Sequence, residues 1–428
     1  MSVFGPYTGS SGTDKLFLEY VMPGMTSQLR EDSKLYDRFK TNSQDLKGKY
    51  ALFKCNTASP KSFRPSSSTT LPTAQQGTYD EFLLFMKRGG YGQLQFDGLA
   101  LACGKGKGAV MEILSAELDS LETYMSRKLN HQYWGDGSGR LGQLSAASSN
   151  STTVVIDGPL FGQDSNEYTN PAEYLHEGML VDIYDTSGNL EVEEVEISTI
   201  TDNGDGTATI VMAEAVTASD DSYIFDHDTY AASQAIGTGV PQGLTGIIST
   251  ADPYTGITET SFQNIDRDTY TWARAQNVSC ASAAISNVKI LQLIQKIEKF
   301  GTVGVMFTNE VIYRCYYEIL EADKTMPNDP AFWGGLSGIT FYGGKKGKIT
   351  LLNDTDCPDN SLYAWDDKYI EIFSPTKNGM TWLKGENGIL RMVSGKDEWV
   401  ASLVNYYNMG SRKPQAMGYL SAIKHASS

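Results

Sequence analysis

The side chains that most often carry chemistry are few and scattered in this chain. Its four histidines, His131, His176, His227 and His425, stand in no HExxH pattern and pair with no cysteine at zinc-ligand spacing. Its five cysteines, Cys55, Cys103, Cys280, Cys315 and Cys357, never fall as CxxC. Their odd number and dispersal read as reduced thiols of a cytosolic folding compartment. No GxSxG surrounds a serine, so no nucleophile with a matched base is spelled out. Gly104-Lys-Gly-Lys-Gly108 precedes a helical pattern, where backbone donors and the helix dipole favour anions, but it lacks phosphate-loop spacing and reads as a hinge. Asp202-Asn-Gly-Asp-Gly206 begins like a calcium loop, lacks the later bidentate glutamate, and reads as a turn between strands. These residues point away from an enzyme, and no cofactor or metal is expected.

Charge is more informative. No Lys or Arg lies between Arg140 and Arg267, while residues 150 to 230 carry 18 of the chain's 51 acidic residues. The remaining 33 acids face 35 bases, so the net charge of -16 belongs to this stretch. Within it, Glu191, Glu193, Glu194 and Glu196 alternate with Val192, Val195 and Ile197, a solvated strand face opposite a buried one. Such a face repels other copies and other anions. An isoelectric point near 4.8 disfavours a protein that grips nucleic acid, because phosphate binding needs clustered Lys and Arg. Any nucleic acid must be enclosed.

The elements around these residues set the organisation. At 428 residues the chain exceeds one compact core, and two or three packing units are expected. No run approaches the roughly 20 apolar residues of a membrane span, and Met1-Ser-Val-Phe-Gly-Pro lacks the pattern of a signal peptide, so a soluble, non-membrane protein is expected. Residues 1 to 47 read as an extended arm with a surface helix over Thr26 to Lys40. Residues 48 to 97 read as a two-stranded excursion, strand-like at Lys49 to Thr57, Gly77 to Met86 and Tyr91 to Phe96, with Lys61, Phe63 and Arg64 at its polar tip. Such a hairpin is marginal alone and needs a partner surface. From Ala109 to about Asn130, Val110, Leu114, Leu118, Leu121, Met125 and Leu129 form one helical stripe, which Trp134-Gly-Asp-Gly-Ser-Gly139 terminates.

The acidic stretch reads as a small all-β unit, with strands at Thr152 to Ile156, Met179 to Tyr184, Glu191 to Ile200 and Thr207 to Met212. A mixed region follows. It has helices at Ala281 to Phe300 and Asn309 to Asp323, a buried strand at Val303 to Phe307, and strands near 339 to 342, 348 to 353, 362 to 365 and 369 to 373. Thr381 to Ile423 reads as several closing strands.

Polar arm, hairpin, long helix ending in Trp134-Gly-Asp-Gly-Ser-Gly139, inserted β unit and mixed region occur in the order of the major capsid proteins of tailed bacteriophages. Nearly the whole chain resembles this HK97-type fold, including Glu398-Trp-Val and Tyr406-Tyr-Asn-Met-Gly-Ser-Arg-Lys-Pro-Gln-Ala-Met-Gly418 near the end. The resemblance implies an α+β fold with an N-terminal arm at 1–47, an E-loop hairpin and the start of a peripheral domain at 48–103, and a spine helix with peripheral domain at 104–149. It further implies an inserted acidic β domain at 150–235, a mainly axial domain at 236–375, and a return to the peripheral domain at 376–428.

The same resemblance implies self-assembly into pentamers and hexamers of an icosahedral head that encloses double-stranded DNA and expands from a procapsid. Assembly in the host cytoplasm and residence in the virion follow. The short arm points to a separate scaffolding protein, and the resemblance adds a portal complex and decoration proteins as partners. Lys61, Phe63 and Arg64 are expected to touch a neighbouring subunit, whereas Lys61 has no matching acceptor for a covalent crosslink. The alternative is the shell of an encapsulin-like nanocompartment that encloses an enzyme; the inserted module and the arm weigh against it.

Overall fold

The computed structural model describes residues 35, 38–60, 73–99, 109–157, 171–172, 174–230, 239–250, 262–322, 339–358, 360–375, 380–383 and 390–424. Residues 61–72 with Lys61, Phe63 and Arg64, the glycine-rich 104–108, Cys103, His425 and most of the arm lie outside them. The chain divides into two compact units. One holds Gly90–Leu129 and Met380–Asn405, and the other holds residues 34–89, 130–379 and 406–428.

In chain order the first elements are β1 (Lys40–Asn42), β2 (Leu46–Lys47), β3 (Tyr50–Ala58), β4 (Thr78–Phe85), β5 (Lys87–Asp97) and helix α1 (Ala109–Trp134). The helix expected to end near Asn130 runs one turn further, to Trp134. Its stripe meets β5 at Gly92, where an added Cβ would lie 2.8 Å from the Met125 sulfur and 2.9 Å from a Leu121 methyl. Only a residue without a side chain lets strand and helix approach this closely. In this unit β18 (Met380–Trp382) and β19 (Leu390–Met392) pair antiparallel with the first half of β20 (Glu398–Ser411), matching Met380 to Asn405 and Leu390 to Ala401.

The larger unit begins by correcting the arm. Leu35 and Phe39 are buried, and Lys40 opens a strand where a surface helix was expected. β1 runs parallel to β17 (Ile370–Phe373), which is antiparallel to the second half of β20. Asn42 donates to Asp45 and Glu371 at 2.8 Å, and Arg412 donates to Glu371 at 3.1 Å and to Asp45, so the end of the arm is stapled to its own chain.

Between Arg140 and Asp226 the chain forms a closed barrel of β6 (Arg140–Gln143), β7 (Ser148–Ile156), β8 (Leu180–Tyr184), β9 (Leu190–Asp202), β10 (Ala208–Ala218) and β11 (Tyr223–Asp226), in the order β6-β11-β8-β9-β10-β7. The two ends of the sheet join through a bridge between Leu144 and Ile156, with Ser145 N donating to Val155 O at 3.0 Å. Closure removes the exposed edges that an open sheet would present. The interior is filled by Leu141, Val154, Ile156, Val181, Ile183, Ile197, Ile210, Met212 and Ile224 among others, a core drawn from this stretch alone. The expected boundary at 150 cuts into β7 and omits β6. The first strand had been hidden because Arg140-Leu-Gly-Gln is too short and too mixed to show a period.

The mixed region builds a six-stranded sheet from β12 (Gln276–Ala283), β13 (Val305–Thr308), β14 (Ile339–Gly344), β15 (Gly347–Asn353), β16 (Leu362–Trp365) and β21 (Gly418–Ile423), in the order β12-β21-β16-β13-β15-β14. β12 and β21 are parallel, as are β13 and β15. Helix α3 (Asn287–Glu298) buries Ile290, Leu293, Ile294 and Ile297 with Val278, Leu351, Ala364 and Leu420 of the sheet. The short helix α2 (Leu244–Ile247) precedes it, and α4 (Glu310–Ala322) follows β13.

Two expectations change here. The helix expected from Ala281 starts only at Asn287, because Ser286 caps it by accepting from Lys289 N, and Ala281 to Ala283 belong to β12. The closing segment does not stay with β20, since its last strand, β21, enters this sheet between β12 and β16. Across the expected boundary at 375 and 376, β17 pairs with the second half of β20, and β21 pairs with β12 and β16.

The end of α1 is buried in the same unit. Trp134 has no exposed surface and lies within 6.1 Å, centroid to centroid, of Phe307, Tyr363 and Trp365. Nearby, fully buried Arg267 donates to the carbonyls of Ala273, Gly246 and Ile247 at 3.1, 2.8 and 2.7 Å, and its guanidinium lies 3.7 Å from the Phe262 ring centre. One planar fork thus ties the end of α2 to the segment leading into β12.

Candidate assembly surfaces

The β3–β4 hairpin is anchored at one end only. Ala51, Phe53, Phe82 and Leu84 are buried, and the Phe53 ring stacks on Phe373 at 5.5 Å while Phe82 meets Trp272 at 5.6 Å. Arg412 lies over Phe53 at 5.3 Å. Beyond Phe53 the inward residues run out. Lys54 and Glu81 form an exposed pair at 3.2 Å, Asn56 and Thr78 face solvent, and Tyr79 is 66% exposed. Two paired strands without an apolar face are marginal in water, and among the described residues no apolar surface covers this distal ribbon.

The second surface is the acidic face of the barrel. Along β9 the sequence Val192-Glu-Glu-Val195 spaces two apolar residues by three, which would put them on opposite sides of a regular strand. A bulge resolves the conflict. Val181 pairs with Val195 and Ile183 with Val192, so two residues of β9, Glu193 and Glu194, oppose one of β8, Asp182; Glu194 adopts φ 52°, and both valines point inward. Glu193, Glu194 and Glu196 are exposed, whereas Glu191 is half-buried and accepts from Ser219 N and Ser222 Oγ, at 2.9 and 2.7 Å through the same oxygen. Burial opposes ionisation of Glu191, but the Ser219 and Ser222 bonds outweigh it and hold its carboxyl below the ordinary range. Glu191 is thus fixed structure, and the solvated face consists of the other three.

Asp182, a lone carboxylate in the apolar run of β8, organises the bulge. It is buried, accepts from Glu194 N at 2.9 Å and Asp228 N at 3.1 Å, and sits 2.9 Å from His227 Nδ1. The hydrogen bond that His227 donates to Asp182 raises the His227 pKa. The barrel sequence has no Lys or Arg beyond Arg140, and among the described residues the basic side chain beside this carboxylate is His227. An acid at an inward position of a buried strand was the sequence signal for it, and the charge count obscured that signal.

Among the described residues the chemistry-bearing side chains do not converge elsewhere. His176 is exposed, His131 stacks on Tyr174 at 3.6 Å, and Cys280 and Cys357 are buried. Asp202 and Asp205 accept from backbone and side-chain groups of their own turn. Among the described residues no three His, Cys, Asp or Glu stand as metal ligands, and no helix is long and apolar enough to cross a membrane.

No protein-family profile and no curated protein matches the sequence. Solved structures do. A chain of the cyanophage A-1(L) capsid asymmetric unit is similar over 95% of this chain and 96% of its own, at 11% identity and a TM-score of 0.51. A chain from the capsid of an empty GTA particle covers 95% and 96%, at 9% identity and a TM-score of 0.46. The holo-SrpI encapsulin complex of Synechococcus elongatus PCC 7942 covers 36% of this chain and 54% of that one, at 11% identity and a TM-score of 0.29. The conclusion rests on the cyanophage chain, whose likeness runs from end to end: this chain has the fold of a bacteriophage capsid protein, the HK97-type architecture.

Proposed function

We propose that this chain is the major capsid protein of a tailed-bacteriophage head, a structural protein with no catalytic role. The observation that carries the reading is the hairpin whose distal half has no apolar partner among the described residues, in a protein with a capsid fold over nearly its whole length. A second copy supplies the missing surface. Laid over a neighbour, each hairpin makes a heterologous contact, and such contacts close into rings when the rotation permits. In this reading Lys61, Phe63 and Arg64 at the tip touch the adjacent subunit, and pentamers and hexamers form a closed shell around double-stranded DNA. The shell passes from procapsid to expanded head with a separate scaffolding protein, a portal and, at the barrel, decoration proteins. Glu193, Glu194 and Glu196 face outward, and the near-neutral remainder of the chain encloses DNA without gripping it.

The test is negative-stain electron microscopy with mass photometry on the purified chain, alone and co-expressed with a candidate scaffolding protein. Closed shells or rings of five and six are expected, and a monomer under both conditions overturns the reading. The contents of the shells separate a genome container from an encapsulin-like compartment. Changing Lys61, Phe63 and Arg64 together to Ala is expected to lower shell yield, and unaltered yield removes these three residues from the contact.

A further inference from the structure

Among the described residues, strand β12 ends the mixed sheet, with β21 on one side and nothing paired on the other. Gln276 N donates to Met417 O at 2.9 Å, so Gln276 and Val278 turn their backbone groups to β21 and the alternate residues Asn277 and Ser279 turn theirs outward. An outward row of this kind is a template for another strand. Here it is occupied. Lys296 Nζ donates to Asn277 O at 2.8 Å, and Lys289 Nζ donates to Ser279 O at 2.8 Å. The two lysines lie seven residues apart on α3, on one side of the helix, and both reach past the sheet face that α3 covers to its open edge.

Further along, Ser279 Oγ accepts from Ala281 N at 3.0 Å. Ala281 and Ser282 then adopt φ 54° and 57°, a left-handed pair that breaks the ladder until Ala283 pairs with Ile423. Left-handed conformations at consecutive non-glycine residues are unfavourable, so the break is retained against a local cost. Consecutive outward groups of one strand are thus withdrawn by two independent devices, side-chain donors and a backbone bulge.

We infer that Lys289 and Lys296 are guards of this edge, which keep a second copy of the chain from adding its own β12 there by main-chain pairing. The occupant excluded is the same edge of another copy, because eight-residue strands with matching outward groups pair antiparallel about a two-fold axis. The inference stands independently of the shell reading. In any protein that crowds copies together, it separates contacts made by side chains from strand addition that has no built-in stop.

The experiment uses the full chain carrying Lys289→Met with Lys296→Met. Mass photometry across a dilution series is read beside amide hydrogen exchange of Asn277 and Ser279. The expected result is self-association with its onset about tenfold lower in protein concentration, with protection at these two amides rising as copies associate. Lys289→Arg with Lys296→Arg keeps both donors and is expected to behave like the parent. Lys299→Met, which removes an exposed charge from the end of the same helix, is expected to do nothing.

Unchanged association, association without new protection at Asn277 and Ser279, or an equal effect of Lys299→Met each overturns the inference. If the double Met variant unfolds α3, the single variants decide. Each must raise concentration-dependent protection at the residue whose carbonyl it frees, and if neither does, the inference fails.

Discussion

Three side chains hold more structure than their neighbours, and each gives a prediction. Asp366 is buried, yet hydrogen bonds from Lys346, Thr302 and Lys368 outweigh that burial and bring its pKa from the ordinary 3.8 down to about 2. A carboxyl depressed in the folded state stabilises above its unfolded pKa, and that contribution is lost as pH falls from about 4 to 2. Because both lysines are half exposed, the contribution is set at about 1 kcal/mol. Denaturant titrations at pH 5 and pH 2.5 should show this loss in the parent and not in Asp366→Asn. His227 has the opposite sign. Its pKa is raised by Asp182, so the stability it adds is present below its ordinary 6.5 and is lost as pH rises through the higher folded value. Exchange of the Glu194 amide, which Asp182 holds, should accelerate between pH 6 and pH 8 beyond the intrinsic rate, and His227→Gln should abolish the excess. Arg267→Ala leaves three buried carbonyls without their donor and should cost at least about 3 kcal/mol by chemical denaturation; Arg267→Lys should not restore it, because an ammonium cannot reproduce the fork.

At the scale of elements, tight approach and pattern conflict decide the outcome. Gly92→Val forces a branched side chain into Met125 and Leu121 and should lower the unfolding midpoint of the unit containing β5, seen as faster exchange in 90–97 and 398–405. Elements with strong periods were visible in the sequence: the α1 stripe, both strands of the hairpin, and the helix and strand at 305–322. Those it misjudged have physical reasons. The period of α3 extends backwards through Ala281, but the Ser286 cap and the demand of β21 for a partner turn those residues into strand. The Glu191 to Ile197 alternation was recognised, whereas the bulge that makes it work depends on a carboxylate from another strand. Strands β6 and β11, four residues each, carry no period of their own and exist because the barrel must close.

For the whole molecule, the order of parts was readable and the sheet topology was not. Topology is a matter of which distant strands find each other, and β21 joins β12 across more than 130 residues without any local sign. The barrel, by contrast, has a core of its own. Residues 140 to 228 contain 18 acidic residues and one basic residue, so replacing them with a short Gly-Ser linker leaves a net charge of +1 in place of -16. That variant should fold with an unchanged unfolding midpoint in the β12–β21 sheet and should lose its retention on an anion-exchange column, whereas cutting at 150 and 235 should strand β6 and aggregate. The barrel leaves the chain at neighbouring points, since Arg140 and Phe225 are ladder partners. Residues paired this way sit about 5 Å apart. The junction is therefore a socket: a foreign domain whose own termini lie side by side can be plugged in there, and every copy of the chain would then display one.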